Sequence, residues 1–391
     1  MLADNHTVCP ISRRSSRLRR LTTLAAAVGL VAGTFAAAQP AGAAAAWSKT
    51  TTPNPSGSIG TVLTGVACPT TTSCFAVGRT SVGTGFKTLV EHWNGTGWSI
   101  MPSPNPTGSS ANLSGVACAS TKSCFAVGSY SVGNSGQRTL VEHWNGAAWG
   151  FLTGANPSAA TDASLTGVAC PNLKGCFAVG SYTTPSFTNT LIEHWNGTEW
   201  GIQASPNPPG AAANLRSIAC PSTKSCFAVG SSATGSGFRT LAEHWNGTGW
   251  GFLSAANPSG ATGANLTGVA CPNTKSCFAV GNYSTGAGAK TLAEHWNGSG
   301  WSSEATLNPS SSASLNAVAC PNTKSCFAVG NSQIKNLIEH WNGSGWGGFS
   351  SPSPASVAHL NAVACPSPRI CFAVGTYTST SFSLSMALRY R

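Results

Sequence analysis

The chain is poor in charge, and above all in acidic residues. Only 8% of its 391 residues are charged, and 10 Asp and Glu stand against 21 Lys and Arg. Long apolar runs are equally scarce, because only a stretch near the N-terminus approaches the roughly 20 residues of a membrane-spanning helix. A hydrophobic fraction of 41% with 13 Trp nevertheless supplies a large core. These features exclude a disordered chain, and the length fits several domains or one long all-β domain.

The N-terminal segment is typical of an export signal. An arginine-rich segment precedes an Ala-rich apolar stretch over 21–38, and Ala41-Gly42-Ala43 provides an A-x-A cleavage site. A membrane anchor is the alternative, but the stretch is weakly apolar and is followed by small residues. We therefore predict a signal peptide over 1–43 and a mature domain over 44–391 with a net charge of +7. The mature protein is expected outside the cell or at its surface, with no membrane span.

A sequence repeat with a period near 50 residues runs through the mature chain. The first cysteine of each copy falls at positions 68, 118, 170, 220, 271, 320 and 365. Each copy reads approximately L-x-G-V-A-C-P-x-x-K-S-C-F-A-V-G, then a variable loop, then T-L-V-E-H-W-N-G-x-G-W. A period of this length is typical of propellers and solenoids.

Each copy contains four strand-sized pieces separated by turn signals, which predicts an all-β fold. No segment outside the leader has a helical period. The segment at Trp47 matches a fourth strand and 385–391 matches a third, so the two ends complement each other into one blade. We predict a seven-bladed β-propeller, with four antiparallel strands per blade and the last blade closed by both termini. First strands are expected to start near residues 62, 113, 165, 215, 266, 315 and 360.

The repeat resembles blades of the kelch and galactose-oxidase-like propeller superfamily over residues 47–391. The matching features are the Gly after strand two, Trp93 late in strand three and Trp98 at the start of strand four. The chain is also similar to secreted actinobacterial repeat proteins with the same C-F-A-V-G and E-H-W-N-G blocks. It departs from kelch repeats in having one Gly, such as Gly78, in place of a doublet, and it lacks the copper ligands of galactose oxidase. The turn at Asn94 resembles the Asp-box of sialidases, with Asn in place of Asp. Such a resemblance implies a fold and does not transfer an activity.

Seven cysteine pairs lie six positions apart, across the turn between the first two strands of each copy. A hairpin of this size brings two Cβ atoms into bridging range, and paired cysteines behind an export signal indicate disulfides. Zinc is the alternative, but its ligands must converge, and seven separate pairs cannot converge. We predict no metal and no cofactor. The predicted disulfides are Cys68–Cys74, Cys118–Cys124, Cys170–Cys176, Cys220–Cys226, Cys271–Cys277, Cys320–Cys326 and Cys365–Cys371.

Six copies carry a Glu-His-Trp block in the third strand, beginning with Glu91-His92-Trp93. Glu and His together suggest acid–base chemistry or metal ligation. Adjacent residues in a strand point to opposite faces, however, so Glu91 and His92 cannot face one substrate. We predict instead that the block forms a hydrogen-bond network between blades.

A cation recurs at one position of the cysteine hairpin in six copies. If the first strand is innermost, these hairpins surround the axis on one face and create a positive field there. The alternative is ordinary solubilising charge. A second cationic set, Lys87, Arg138, Arg239, Lys290 and Lys335, ends the variable loops on the opposite face. The candidate ligand-binding residues are Lys122, Lys174, Lys224, Lys275, Lys324 and Arg369.

Titratable residues that occur once rather than in every copy are few and dispersed: Asp162, Glu199, Glu304 and His359. No nucleophile–base set or carboxylate pair emerges from them. We therefore predict a monomeric, non-catalytic binding or scaffold module for an extracellular glycan or anionic cell-wall polymer, with no nucleic-acid partner. The alternative is a carbohydrate-active enzyme, a sialidase-like or kelch-like glycan oxidase or hydrolase.

Overall fold

A computed structural model describes residues 45–83, 85–107, 110–133, 135–354, 357–379 and 382–391. The predicted signal peptide over 1–43 lies outside these ranges. The described residues form 28 strands and no helix, so none of their segments is a helix that could cross a membrane.

The strands are short, and each is followed by a turn or a loop. They are β1 (Trp47–Thr50), β2 (Gly60–Thr70), β3 (Ser73–Val82), β4 (Gly85–Trp93), β5 (Trp98–Met101), β6 (Ala111–Ser120), β7 (Ser123–Ser131), β8 (Gln137–Trp144), β9 (Trp149–Thr153), β10 (Asp162–Asn172), β11 (Gly175–Thr183), β12 (Thr188–Trp195), β13 (Trp200–Gln203), β14 (Ala213–Ser222), β15 (Ser225–Thr234), β16 (Gly237–Trp245), β17 (Trp250–Leu253), β18 (Gly263–Asn273), β19 (Ser276–Thr285), β20 (Gly288–Trp296), β21 (Trp301–Glu304), β22 (Ala313–Asn322), β23 (Ser325–Ser332), β24 (Lys335–Trp341), β25 (Trp346–Gly348), β26 (Ala358–Ser367), β27 (Ile370–Thr378) and β28 (Ser383–Tyr390).

These strands form seven antiparallel sheets of four strands each, which are the blades of a propeller. Blade one is β2–β5, blade two β6–β9, blade three β10–β13, blade four β14–β17, blade five β18–β21 and blade six β22–β25. Blade seven has the order β1-β28-β27-β26, and Trp47 of β1 pairs with Tyr390 of β28. The predicted fold class, including closure by both ends of the described chain, is therefore confirmed.

The first strand of each blade begins two or three residues before the predicted start. The first strands begin at 60, 111, 162, 213, 263, 313 and 358. The extension arises because the second strand continues toward the variable loop, so residues ahead of the repeat's Leu still find partners. In blade one, for example, Gly60 pairs with Ser81.

A turn and a close contact between two strands help each repeat to fold into the same blade. Between the third and fourth strands, Gly95 adopts a φ of 99°, which favours glycine. The Asn94 side-chain oxygen accepts hydrogen bonds from the backbone N–H groups of Thr96 and Gly97. In the second strand Gly78 pairs with Leu63, and a Cβ at Gly78 would lie 1.9 Å from the Val62 carbonyl oxygen, so only glycine fits there.

The hydrophobic core lies between neighbouring blades rather than within any one of them. Phe75 of blade one is 1% exposed and lies 4.7 Å from His92 of its own blade, centroid to centroid. The same ring lies 5.4 Å from both Trp144 and Trp149 of blade two. Equivalent Phe and Trp residues repeat this cluster around the ring. Each blade needs its neighbours to bury these aromatic side chains. Closure of the propeller therefore adds stability, because it gives every blade two neighbours.

Candidate binding surfaces

The first strands line a central channel with a volume of about 230 Å³. Neighbouring first strands are joined by side chains at one repeat position. The hydroxyl of Thr64 donates to the carbonyl oxygen of Leu113 in the next blade at 2.7 Å. The amide of Asn361 in blade seven donates to the carbonyl oxygen of Leu63 in blade one at 2.8 Å. The first strand is therefore innermost, as the charge-ring hypothesis required.

Blade four departs from this pattern with a pair of residues that the sequence analysis did not single out. Arg216 occupies the position of Thr64, and it is the one charged side chain among the described residues that line the channel. Ser217 follows it where most blades have Gly, and its hydroxyl accepts a hydrogen bond from the backbone N–H of Val269 in blade five. An alignment of the seven repeats reveals this pair, because blade four has Leu-Arg-Ser-Ile where blades one, three and five have Leu-Thr-Gly-Val.

All seven predicted cysteine pairs are joined as disulfides in the structure. Each joins residues six positions apart, with Cα atoms 3.9–4.2 Å apart. Each bridge ties the first strand of a blade to its second strand beside the turn. Among the described residues no group of three or more His, Cys, Asp and Glu could hold a metal ion.

The hairpin cations are exposed on the face that we call the hairpin face, where the cysteine turns and the Asn-Gly turns lie. The stem of Lys122 leans over the Asn-Gly turn of its own blade: a Cβ at Gly146 would lie 3.2 Å from the Cβ of Lys122. The stems of Lys174, Lys224, Lys275 and Lys324 lie against the equivalent glycines. The five lysine stems thus extend over the turn between the third and fourth strands of their own blades. Arg369 is exposed in the equivalent hairpin of blade seven.

The Glu-His-Trp block divides between two environments, as the alternation along a strand predicted. Glu142 is fully buried, and its two carboxyl oxygens accept from the Ser103 hydroxyl at 3.0 and 2.8 Å. Ser103 belongs to the segment that links blade one to blade two. Glu193 and Glu294 instead accept from the backbone N–H groups of linking residues. The predicted hydrogen-bond network between blades is present in this form.

Burial changes the ionisation of these glutamates. Loss of solvent raises the pKa of Glu142 to about 8, although the hydroxyls of Ser103 and Thr88 oppose the rise. Burial likewise raises the pKa of Glu193 to about 7. In blade one burial raises the pKa of Glu91 to about 8, although the nearby Ser385 hydroxyl opposes the rise. No contact with hydrogen-bond geometry joins Glu91 to Ser385. Burial raises the pKa to about 8 in Glu91, Glu142 and Glu243, so these carboxyls are mostly protonated at neutral pH. In Glu193, Glu294 and Glu339 it raises the pKa to about 7, so these carboxyls are only partly ionised there.

The histidines of the block lie at the edge of the same interfaces. The Nε2 atom of His92 is 3.0 Å from the Ser73 hydroxyl, and its ring packs on Phe75. Partial burial lowers the pKa of His92. The Glu and His side chains thus serve different contacts and do not form an acid–base pair.

The opposite face, which we call the loop face, carries cations beside exposed aromatic rings. Phe86, Phe187, Phe238 and Phe382 are all more than a third exposed, and they lie in or beside the variable loops. Arg79 lies over the Phe86 ring at 4.5 Å. The sequence analysis identified the cations of this face and missed the aromatic rings, because loop residues give no periodic pattern to interpret.

The titratable residues that occur only once are separated in the structure, as their positions suggested. Asp162 accepts a hydrogen bond from the backbone N–H of Gln137 in blade two, which is a contact between blades. Glu304 lies 3.8 Å from the Nδ1 atom of His295. His359 lies on the first strand of blade seven, and partial burial lowers its pKa. Glu199 is exposed in a turn of the hairpin face.

Comparison with known proteins supports the fold and leaves the family open. No family model matches the chain, and no curated protein matches its sequence. The fold is similar to that of YCF48 from Cyanidioschyzon merolae, with 12% identity, a TM-score of 0.54, and coverage of 88% of this chain and 98% of that one. It is similar to the RRP9 WD40 repeats, with 11% identity, a TM-score of 0.57, and the same two coverages.

A third similar structure is an ulvan lyase from a new family of polysaccharide lyase. It has 8% identity and a TM-score of 0.53, and the match covers 84% of this chain and 97% of that one. Identities this low establish the propeller fold alone. The kelch or galactose-oxidase assignment stays a prediction.

Proposed function

We propose that this protein is an extracellular binding module that attaches to an anionic polymer, a polysaccharide or cell-wall polymer, through the cations of its hairpin face. It holds the polymer and carries out no chemistry on it.

The observation that supports this proposal is the separation of acidic from basic side chains. Six of the nine acidic residues in 45–391 are the buried glutamates between blades. The three acidic residues of the described chain that reach solvent are Asp162, Glu199 and Glu304. None of the sixteen Lys and Arg residues in 45–391 is buried. Sixteen basic residues against three acidic ones that reach solvent make the surface more positive than the net charge of +7 over 44–391 indicates, and such a surface favours polyanions.

The hairpin face distributes its cations in a way that suits a long ligand rather than a small one. One cation per blade, in six of the seven blades, gives a ring of separate charges around the mouth of the narrow central channel. Each charge is exposed, and the Debye length is about 8 Å at physiological ionic strength, so one cation alone binds weakly. A polymer that contacts several of them at once gains affinity from each contact.

The disulfides and the fold are consistent with this role. Seven bridges indicate an oxidising environment, such as the exterior of the cell. A propeller of similar shape occurs in a polysaccharide lyase, so the fold is compatible with a polysaccharide ligand.

Retention on an immobilised anionic cell-wall polymer tests the proposal, with a neutral polysaccharide as the reference matrix. We expect the protein to be retained on the anionic matrix alone. The test variant changes Lys122, Lys174, Lys224, Lys275 and Lys324 to Gln. The matched control removes the same number of charges from the loop face, by changing Lys87, Arg138, Arg239, Lys290 and Lys335 to Gln.

The two variants separate a specific face from general charge. The hairpin variant should elute early, and the loop-face control should elute close to the unmodified protein. Equal loss in both variants would show that net charge alone causes retention. Release of sugar fragments from the matrix during incubation would instead support the alternative of a carbohydrate-active enzyme.

A further inference from the structure

A cavity lies between blades four and five, on the loop face. Three of the side chains that line it lack the protein partner that their equivalents have in other blades. Its volume is about 220 Å³, and its lining includes Asn214, Arg216, Ser231, Phe238 and Asn265. Arg216 also lines the central channel. The cavity is smaller than the roughly 300–1,000 Å³ of sites for drug-sized ligands, so its size suits one small polar unit.

Arg216 supplies the cavity with an unneutralised charge. Its guanidinium makes no hydrogen bond, ion pair or ring contact with any described residue, and the residue is exposed. At this position blades one, three and five have Thr64, Thr166 and Thr267, whose hydroxyls bond to the next blade. Arg216 therefore replaces a stabilising contact between blades with a free cation that presents a planar, bidentate donor.

Asn214 supplies an acceptor that lacks a donor. Its side-chain oxygen is buried and makes no hydrogen bond with the described chain. In blade two the equivalent Asn112 accepts from the Ser129 hydroxyl. In blade five the equivalent Asn265 donates to the side-chain oxygen of Asn282 at 2.9 Å. A buried acceptor without a partner is costly, and a hydroxyl group of a ligand in the cavity would satisfy it.

Phe238 supplies an open aromatic face. The residue is 54% exposed. In blade one the equivalent Phe86 is covered by Arg79, whose guanidinium lies 4.5 Å from its ring centroid. Blade four has Ser231 at the Arg79 position, so no such cation lies over Phe238. Blade one thus has a cation of the protein itself over the equivalent aromatic ring, which blade four lacks.

We propose that this cavity is a binding site for one acidic sugar unit. The carboxylate of the sugar pairs with the Arg216 guanidinium, a sugar hydroxyl donates to the Asn214 side-chain oxygen, and the C–H face of the ring packs on Phe238. A charge-assisted, bidentate contact gives strength and direction to the first of these. A small number of converging polar groups beside an apolar surface is typical of small-ligand sites.

This site is independent of the polymer surface proposed above, because it lies on the loop side and recognises a single unit. The protein would then join two ligands, a polymer at the hairpin face and an acidic saccharide at the opposite one. Loss of either activity leaves the other intact, so the two proposals fail separately.

The probe is a trisaccharide that ends in glucuronate, titrated by calorimetry into the folded protein at physiological salt. The reference ligand is the same trisaccharide with its carboxyl group reduced to an alcohol. We expect the acidic form to bind at least about tenfold more tightly than the reduced form, because a hydrogen-bonded charge pair is lost in the latter.

Three variants assign the binding to the cavity. Arg216→Thr restores the residue of three other blades, and it should abolish the preference for the acidic form. Phe238→Ala should weaken both forms, whereas Phe86→Ala in blade one is the matched control and should change neither. Melting temperatures confirm that each variant is folded. Absence of binding in the unmodified protein, or an unchanged preference in the Arg216→Thr variant, would overturn the proposal.

Discussion

Trp47 of β1 packs edge to face on Phe327 of blade six, with ring centroids 5.5 Å apart, and pairs with Tyr390 in the sheet of blade seven. One side chain near the start of the described chain thus joins the last strand to the preceding blade. It occupies the same place as Trp98, Trp149 and their equivalents elsewhere in the ring. Closure of the propeller therefore depends on the same aromatic contact as every other blade interface.

Removal of residues 44–58 should lower the melting temperature of the mature chain markedly, because blade seven loses its outer strand. A finer test compares Trp47→Ala with Ser48→Ala. Trp47 is buried, and its truncation should cost about 3–5 kcal/mol of unfolding free energy, whereas Ser48 is exposed and should cost little. The measurement is thermal or denaturant unfolding followed by circular dichroism. Equal stability of the Trp47→Ala and Ser48→Ala proteins would refute the closure argument.

The Phe residues between blades should be equally sensitive. Phe125→Ala removes a ring that is 1% exposed and contacts Trp195 and Trp200 of the next blade, so we expect a loss of about 3–5 kcal/mol. Phe151→Ala is the matched control, because Phe151 is 45% exposed on the outer strand of the same blade. A small effect at Phe125 would mean that the core does not lie between blades.

Each disulfide should contribute about 2 kcal/mol through the short loop that it closes, on the chain-entropy account. Replacing both Cys118 and Cys124 with Ala tests one bridge, with urea unfolding as the measurement. Mass spectrometry of unreduced digests should find only pairs six positions apart. Bridges between blades, or free thiols at most positions, would contradict the observed pairing.

The buried glutamates should make stability fall as the pH rises. Burial raises the pKa of Glu142 from 4.5 to about 8 in the folded protein. The folded state therefore holds a proton that the unfolded state has lost, and the stabilisation present below about pH 4.5 is lost as the pH rises through 8. A neutral Glu142→Gln variant should match the unmodified protein near pH 4 and exceed its stability at pH 8.5.

Two features make that comparison specific. The histidines have lowered pKa values and act in the opposite sense, losing stability below their unfolded pKa, but they are present in both proteins and cancel in the difference. Glu199→Gln changes an exposed carboxylate in a turn and should leave the pH dependence as it was. A parallel pH dependence of the unmodified and Glu142→Gln proteins would show that Glu142 ionises normally.

The repeat itself made most of the fold predictable. A period near 50, four strand-sized pieces per copy and complementary ends predicted seven blades and their closure, because each repeat needs its neighbours to bury its aromatic residues. The cysteine pairs were predictable because their spacing matches a single hairpin. Strand starts were less certain, since residues ahead of Leu63 or Leu113 carry no strong apolar signal and gain their pairing from the neighbouring strand.

The candidate site was less accessible to sequence analysis. Alternation along a strand separated Glu142 from His143, but only packing shows that the carboxyl is fully buried while the ring lies near the rim. Arg216 appears in the sequence as one substitution in a repeat, and nothing local shows that it faces a cavity. The aromatic face of Phe238 is free because the neighbouring strand has Ser231 where blade one has Arg79. That contact depends on how the strands pair and cannot be recognised from the local sequence.

The salt dependence of polymer binding tests the central claim most directly. We would measure the affinity for a soluble anionic cell-wall polymer at several salt concentrations, for the unmodified protein and for the variant with five hairpin lysines changed to Gln. The account predicts that affinity falls steeply with salt in the unmodified protein and only slightly in the variant, because salt screens the charges that hold the polymer. Identical salt dependence in the two proteins would contradict it.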